Sequence, residues 1–82
     1  MKRTSKSGKR NLVGGRIRQA RLKSKPAVSQ DDLAGKLAAQ GILLDRSAIS
    51  RIENQSRYVT DYEFAAIARA LKVPIASLFG QL

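Results

Sequence analysis

Asp45-Arg46-Ser47-Ala48-Ile49-Ser50-Arg51-Ile52-Glu53-Asn54 has the spacing of a short amphipathic helix. Asp45 is a strong N-cap, because its carboxylate can accept from the otherwise unpaired N–H groups of the first turn. Advancing about 100° per residue from Ile49, Ile52 and Glu53 fall on either side of it, while Ser47, Arg51 and Asn54 fall roughly opposite. Such a helix hides its isoleucines and turns Ser47 and Arg51, four apart, outward as one stripe. Its first turn, Arg46-Ser47-Ala48, is small enough for the backbone to approach a surface closely, and an arginine there can offer paired donors to guanine acceptors in a major groove. An ordinary solvent-facing helix reads the same way in isolation. The neighbouring segments must decide.

Glu53 lies toward the core side of this helix, where an unpaired carboxylate would be costly, so it needs a cation. Arg21 is the best placed. It sits at the edge of the apolar stripe of an earlier helix in which Val13, Ile17 and Ala20 recur at intervals of four and three. That helix begins near Asn11, is weakened in its first turn by Gly14 and Gly15, and runs to about Lys23 before Pro26 stops it. An Arg21–Glu53 ion pair between the two helices is therefore expected, in a structural rather than a catalytic role.

Between them, Ser29 followed by Asp32 resembles a capping box, and Leu33, Ala34, Leu37 and Ala38 repeat on one face of a helix from about Gln30 to Gln40. Gly41 suits its left-handed end. Ile42-Leu43-Leu44 reads as a buried turn, since no partner strand exists for it. Beyond Asn54, Gln55 to Val59 form a polar loop. Thr60 and Glu63 make a second capping box, opening a helix with Tyr62, Phe64, Ala65, Ile67, Ala68 and Leu71 as its apolar stripe and margins. Pro74 starts a short fifth helix with Ile75, Leu78 and Phe79 inward. The expected fold is all-α: one domain over residues 11–82 behind a flexible basic arm at 1–10.

Charge is distributed unevenly along the 82 residues. The chain holds 16 Lys and Arg against 6 Asp and Glu, a net charge of +10. Ten of the basic residues fall within the first 25, with no acid among them, and the remainder is balanced at six against six. The whole net charge thus belongs to the first 25 residues, a block that attracts a polyanion by phosphate neutralisation and counterion release. A solubilising tail is the plainer alternative, and nucleic acid is the leading partner on charge. There is no cysteine and no histidine, so disulfides and the usual zinc ligand sets are excluded. No apolar run approaches the roughly 20 residues that span a bilayer, and a cytoplasmic, nucleoid-associated protein with no membrane role is expected.

Taken together, Ile17-Arg18-Gln19-Ala20-Arg21, Ser29-Gln30-Asp31-Asp32-Leu33-Ala34 and Ser47-Ala48-Ile49-Ser50-Arg51-Ile52-Glu53-Asn54 resemble the Cro/C1-type helix-turn-helix regulators, the XRE family. Arg57, Thr60-Asp61-Tyr62-Glu63 and Ala68-Arg69-Ala70-Leu71-Lys72-Val73 continue the likeness, which covers about residues 12 to 80. The resemblance implies a five-helix, lambda-repressor-like domain that binds double-stranded DNA as a transcriptional regulator, with repression by occlusion as the simplest mode. It implies base contacts from Arg46, Ser47, Ala48 and Arg51, and phosphate contacts from Gln30, Asn54 and Arg57. It also places Arg21 and Glu53 on the family's interhelix ion pair. Three departures stand out: Pro26 to Val28 lengthens the first connection slightly, the segment 40–45 is longer than the family's tight turn, and Gln55 stands where glycine is common.

Regulators of this shape usually read inverted half-sites as dimers. Ile75, Leu78, Phe79 and Leu82 either supply a homodimer surface or complete the core. No cofactor, metal or catalytic residue is expected, since each of the six acids already has a capping, pairing or surface role. An antitoxin-type module binding both DNA and a protein is one rival. A basic RNA-binding module is another, weakened by having only Tyr58, Tyr62, Phe64 and Phe79 as aromatics, two of them expected in the core.

Overall fold

In a computed structural model, residues 8–79 are described. Five helices follow one another: α1 (Gly14–Lys23), α2 (Gln30–Ala38), α3 (Arg46–Glu53), α4 (Asp61–Leu71) and α5 (Ile75–Phe79). There is no strand among the described residues. None of the helices is long and apolar enough to cross a membrane.

Local chemistry sets most helix ends. Ser29 and Thr60 accept from the N–H groups of Asp32 and Glu63, whose carboxylates return to the N–H groups of Ser29 and Thr60, so both capping boxes are complete. The Asp45 side chain accepts from the N–H of Ala48 and starts α3. Gly41 takes a φ of 81°, and the N–H groups of Gly41 and Ile42 donate to Ala38 and Leu37. This left-handed end gives donors to the last carbonyls of α2.

The core gathers one face of every helix. Ile17, Leu33, Leu37, Ile49, Ile52, Ile67 and Leu78 are the largest fully buried side chains. Helix α1 packs on α3, α4 and α5, while α2 packs on α3 and α4, so α3 is held from two sides. Phe64 and Phe79 meet edge to face at the margin of this core, ring centroids 5.1 Å apart. These are the two inward aromatics. Tyr58 and Tyr62 are exposed.

Several positions differ from the sequence expectation. Leu43 is 86% exposed, so the turn after α2 buries only Leu44 and part of Ile42. Tyr62 lies outside the α4 stripe, and Ala66 belongs to it instead. Ile75 is exposed because a helix of only five residues cannot bury a full stripe, and Leu78 takes the inward place. At the other end, Arg10 is attached rather than part of a loose arm: its N–H donates to the Gln55 carbonyl at 2.8 Å. Residues 1–7 of the expected arm, and Leu82 of the expected dimer surface, lie outside the described residues.

Gly14 and Asn11 explain how closely α1 meets the end of α3. A Cβ on Gly14 would run into the carbonyl oxygens of Ile52 and Glu53. Only glycine permits that approach. The Asn11 Oδ1 accepts from the N–H groups of Val13 and Gly14, and its Nδ2 donates to the carbonyls of Ile52 and Arg57. One side chain thus opens α1 and fastens the loop that follows α3.

Candidate nucleic-acid interface

Helix α3 divides sharply between its two sides. Ile49 and Ile52 are each 1% exposed, whereas Arg46, Ser47, Arg51 and Asn54 are exposed. The Arg51 Nη1 donates to the Ser47 Oγ at 2.8 Å, so these two residues do share one outward stripe. That bond occupies one N–H of an otherwise exposed guanidinium. Arg46 stands 3.8 Å from Asp31, with both side chains more than two-thirds exposed. Such a pair is loosely held and is readily exchanged for another anion.

Ala48 departs from the outward set. It is 7% exposed and belongs to the core. The cause is visible in the spacing: Ala48 precedes Ile52 by four residues, which puts it on the same face of the helix. Its smallness lets α3 pack closely, and it is not available to meet a base.

Beneath the stripe, the expected ion pair is present as a buried fork. The Arg21 Nε and Nη2 donate to the two Glu53 carboxylate oxygens at 2.8 and 2.9 Å. The Arg21 Nη1 donates to the Val28 carbonyl at 2.9 Å, and the hydrogen bonds to Glu53 hold the Arg21 guanidinium above its ordinary pKa. The Gln30 Nε2 completes the cluster by donating to Glu53 at 3.1 Å. Four segments, α1, the α1–α2 connection, α2 and α3, are therefore tied together through the Arg21–Glu53 pair. Gln30, expected as a phosphate contact, spends one amide N–H on this lock.

Arg57 is likewise engaged. Its Nη1 and Nη2 donate to the two Glu63 oxygens at 2.9 and 3.1 Å, and Nη1 also reaches the Tyr58 carbonyl. The bond from Arg57 draws the Glu63 carboxyl below the usual carboxylate range, and the same bond raises Arg57. Expected as a phosphate contact, Arg57 instead has its charge matched by the capping carboxylate of α4. Asn54, the remaining expected phosphate contact, is exposed at the end of α3.

Gln55 takes a φ of 65°, the left-handed conformation that glycine adopts without strain. Its own contacts compensate: its carbonyl accepts from Arg10 and its Nε2 donates to the Asn11 carbonyl. Arg10 continues past this bond, and its guanidinium lies 5.3 Å from the centre of the Tyr58 ring. The sequence reading did not single out Arg10, Asn11 or Tyr58 at this site. Only an asparagine three residues ahead of a helix could have signalled the turn at Asn11.

Among the described residues no group of histidine, cysteine or carboxylate side chains is arranged to hold a metal ion. Comparison of the chain with protein-family models, with curated proteins and with solved structures gives no match.

Proposed function

We propose that the chain is a sequence-specific binder of duplex DNA, a transcriptional regulator of the Cro/C1 helix-turn-helix type, with α2 and α3 as its reading unit. The observation that carries this reading is the exposed stripe of Arg46, Ser47, Arg51 and Asn54, uncovered above a fully buried isoleucine side. A helix fixed from beneath by both packing and a buried fork keeps its outward donors in register, as groove reading requires. Arg51 and Arg46 are the base-reading arginines, Ser47 lets the backbone approach, and Asn54 meets the phosphate chain. The basic first 25 residues supply the salt-dependent attraction. Repression by occlusion is the simplest outcome for a domain of this size, and two copies meeting through the exposed Ile75 of α5 would read inverted half-sites.

Selection of binding sites from random duplexes, followed by Arg51→Ala, tests the proposal. The variant is expected to lose roughly 1 to 3 kcal/mol on the selected site and to relax one base position, with little change on random duplex. Equal losses on both would remove base reading by Arg51. The exposure of Tyr58 and Tyr62 favours a second reading as an RNA binder. Tighter binding of single-stranded or double-stranded RNA than of duplex DNA at one salt concentration would select it.

A further inference from the structure

We infer that Arg10, braced on Tyr58, is a phosphate-contacting residue beside the end of α3, in the place where Arg57 is already neutralised; this rests on the duplex-binding reading above. The C-terminal end of a helix carries partial negative charge on its last carbonyls, which repels a phosphodiester running past it. Of the two arginines three residues from Asn54, Arg51 in the last turn of α3 is given to the groove and Arg57 forks onto Glu63. A cation must therefore come from elsewhere if the nucleic-acid backbone is to pass the exposed Asn54.

The chain preceding α1 delivers one. The Arg10 N–H is pinned to the Gln55 carbonyl, one residue past Asn54, at 2.8 Å. The Gln55 side chain and Asn11 tie the same two strands of chain together from the other side. The Arg10 side chain is exposed, and among the described residues no carboxylate lies within ion-pair reach of it. Its guanidinium rests on the Tyr58 face instead. That contact costs none of its charge and holds the planar group in one orientation, leaving N–H donors for the paired acceptors of a phosphate. Tyr58 is 67% exposed, a poor arrangement for packing and a suitable one for a brace. Gln55 thereby acquires a purpose that glycine could not serve, since its side chain fastens the segment bearing Arg10.

The test is the salt dependence of binding to a random-sequence duplex, measured by fluorescence anisotropy for the full chain, Arg10→Gln, Arg10→Lys and Tyr58→Leu. One lost phosphate contact lowers the slope of log affinity against log salt by about 0.9. Between about 50 and 200 mM salt, Arg10→Gln should therefore weaken roughly threefold less than the full chain does. Arg10→Lys should keep the slope. Tyr58→Leu should keep the slope too but bind more weakly at every salt concentration, because the charge remains while its orientation is lost. An unchanged slope for Arg10→Gln overturns the inference, as does a Tyr58→Leu that binds like the full chain. The duplex-binding reading would survive either result if Arg51→Ala still separates selected from random sites. Absence of any duplex binding by the full chain sinks both.

Discussion

Two arginine–glutamate forks hold this small fold, and they differ in depth. In the first, the Arg21 and Glu53 side chains are 8% and 2% exposed; in the second, those of Arg57 and Glu63 are 29% and 15% exposed. Each fork has two short N–H to oxygen bonds, so geometry alone does not separate them. Their surroundings do. The Arg21–Glu53 pair joins four segments, with Gln30 donating to Glu53 as well, whereas Glu63 sits on its own helix N-terminus and keeps the Thr60 N–H when Arg57 is absent. Without Arg21, Glu53 keeps only a neutral amide donor in a buried place, whereas Glu63 keeps a backbone donor at a more exposed helix end. One fork therefore governs whether α3 stays seated, and the other mainly decides which arginine is withheld from the interface.

The strongest way to break this contrast is Arg21→Ala. Removing one partner of a buried pair strands the other charge, at a cost of about 3 to 5 kcal/mol. A domain of this length has about 4 to 12 kcal/mol in total, by the usual stability per residue. Urea unfolding should therefore show a large loss of stability, and Arg21→Lys should recover only part of it, because an ammonium cannot reproduce the planar fork. Retention of full stability by Arg21→Ala would show that the buried pair does not seat α3.

Arg57→Ala should cost much less, about 1 kcal/mol, because the outer pair is partly screened by solvent and Glu63 keeps its backbone donor. Its effect on random-duplex binding should also be small, in contrast to Arg10→Gln. A loss equal to that of Arg21→Ala would mean that depth of burial does not separate the two forks.

These contrasts also explain what the sequence could and could not reveal. Asp45, the two capping boxes and Gly41 were legible because each acts within four residues of itself. The Arg21–Glu53 pair was legible because periodicity put both side chains on inward margins. Ala48 belongs to the first turn of α3, whose other residues face outward, but its four-residue spacing from Ile52 puts it in the core. Arg57 and Glu63 are joined across a loop and a helix start, where no period links them. Gly14 looked like a weakness in α1. Its reason is a carbonyl pair on another helix, which no local pattern encodes.

The gentlest test compares the carboxylates of the two capping boxes, one clamped by arginine and one not. Arg57 is the main cause of the lowered Glu63 pKa, while the N–H of Ser29 is the main cause of the lowered Asp32 pKa. Both groups hold their protons less tightly when folded than their ordinary values near 4 imply. Their contribution is therefore complete above about pH 5, and it is lost as pH falls from about 4 through the depressed folded values. Stability measured by urea unfolding should fall on that acid limb in the unmodified chain. Glu63→Gln should flatten the fall visibly. Asp32→Asn should flatten it less, since Asp32 lies fully in solvent with no arginine fork. If the two variants flatten the limb equally, the arginine clamp adds nothing to the cap, and the difference between the boxes lies only in their sequences.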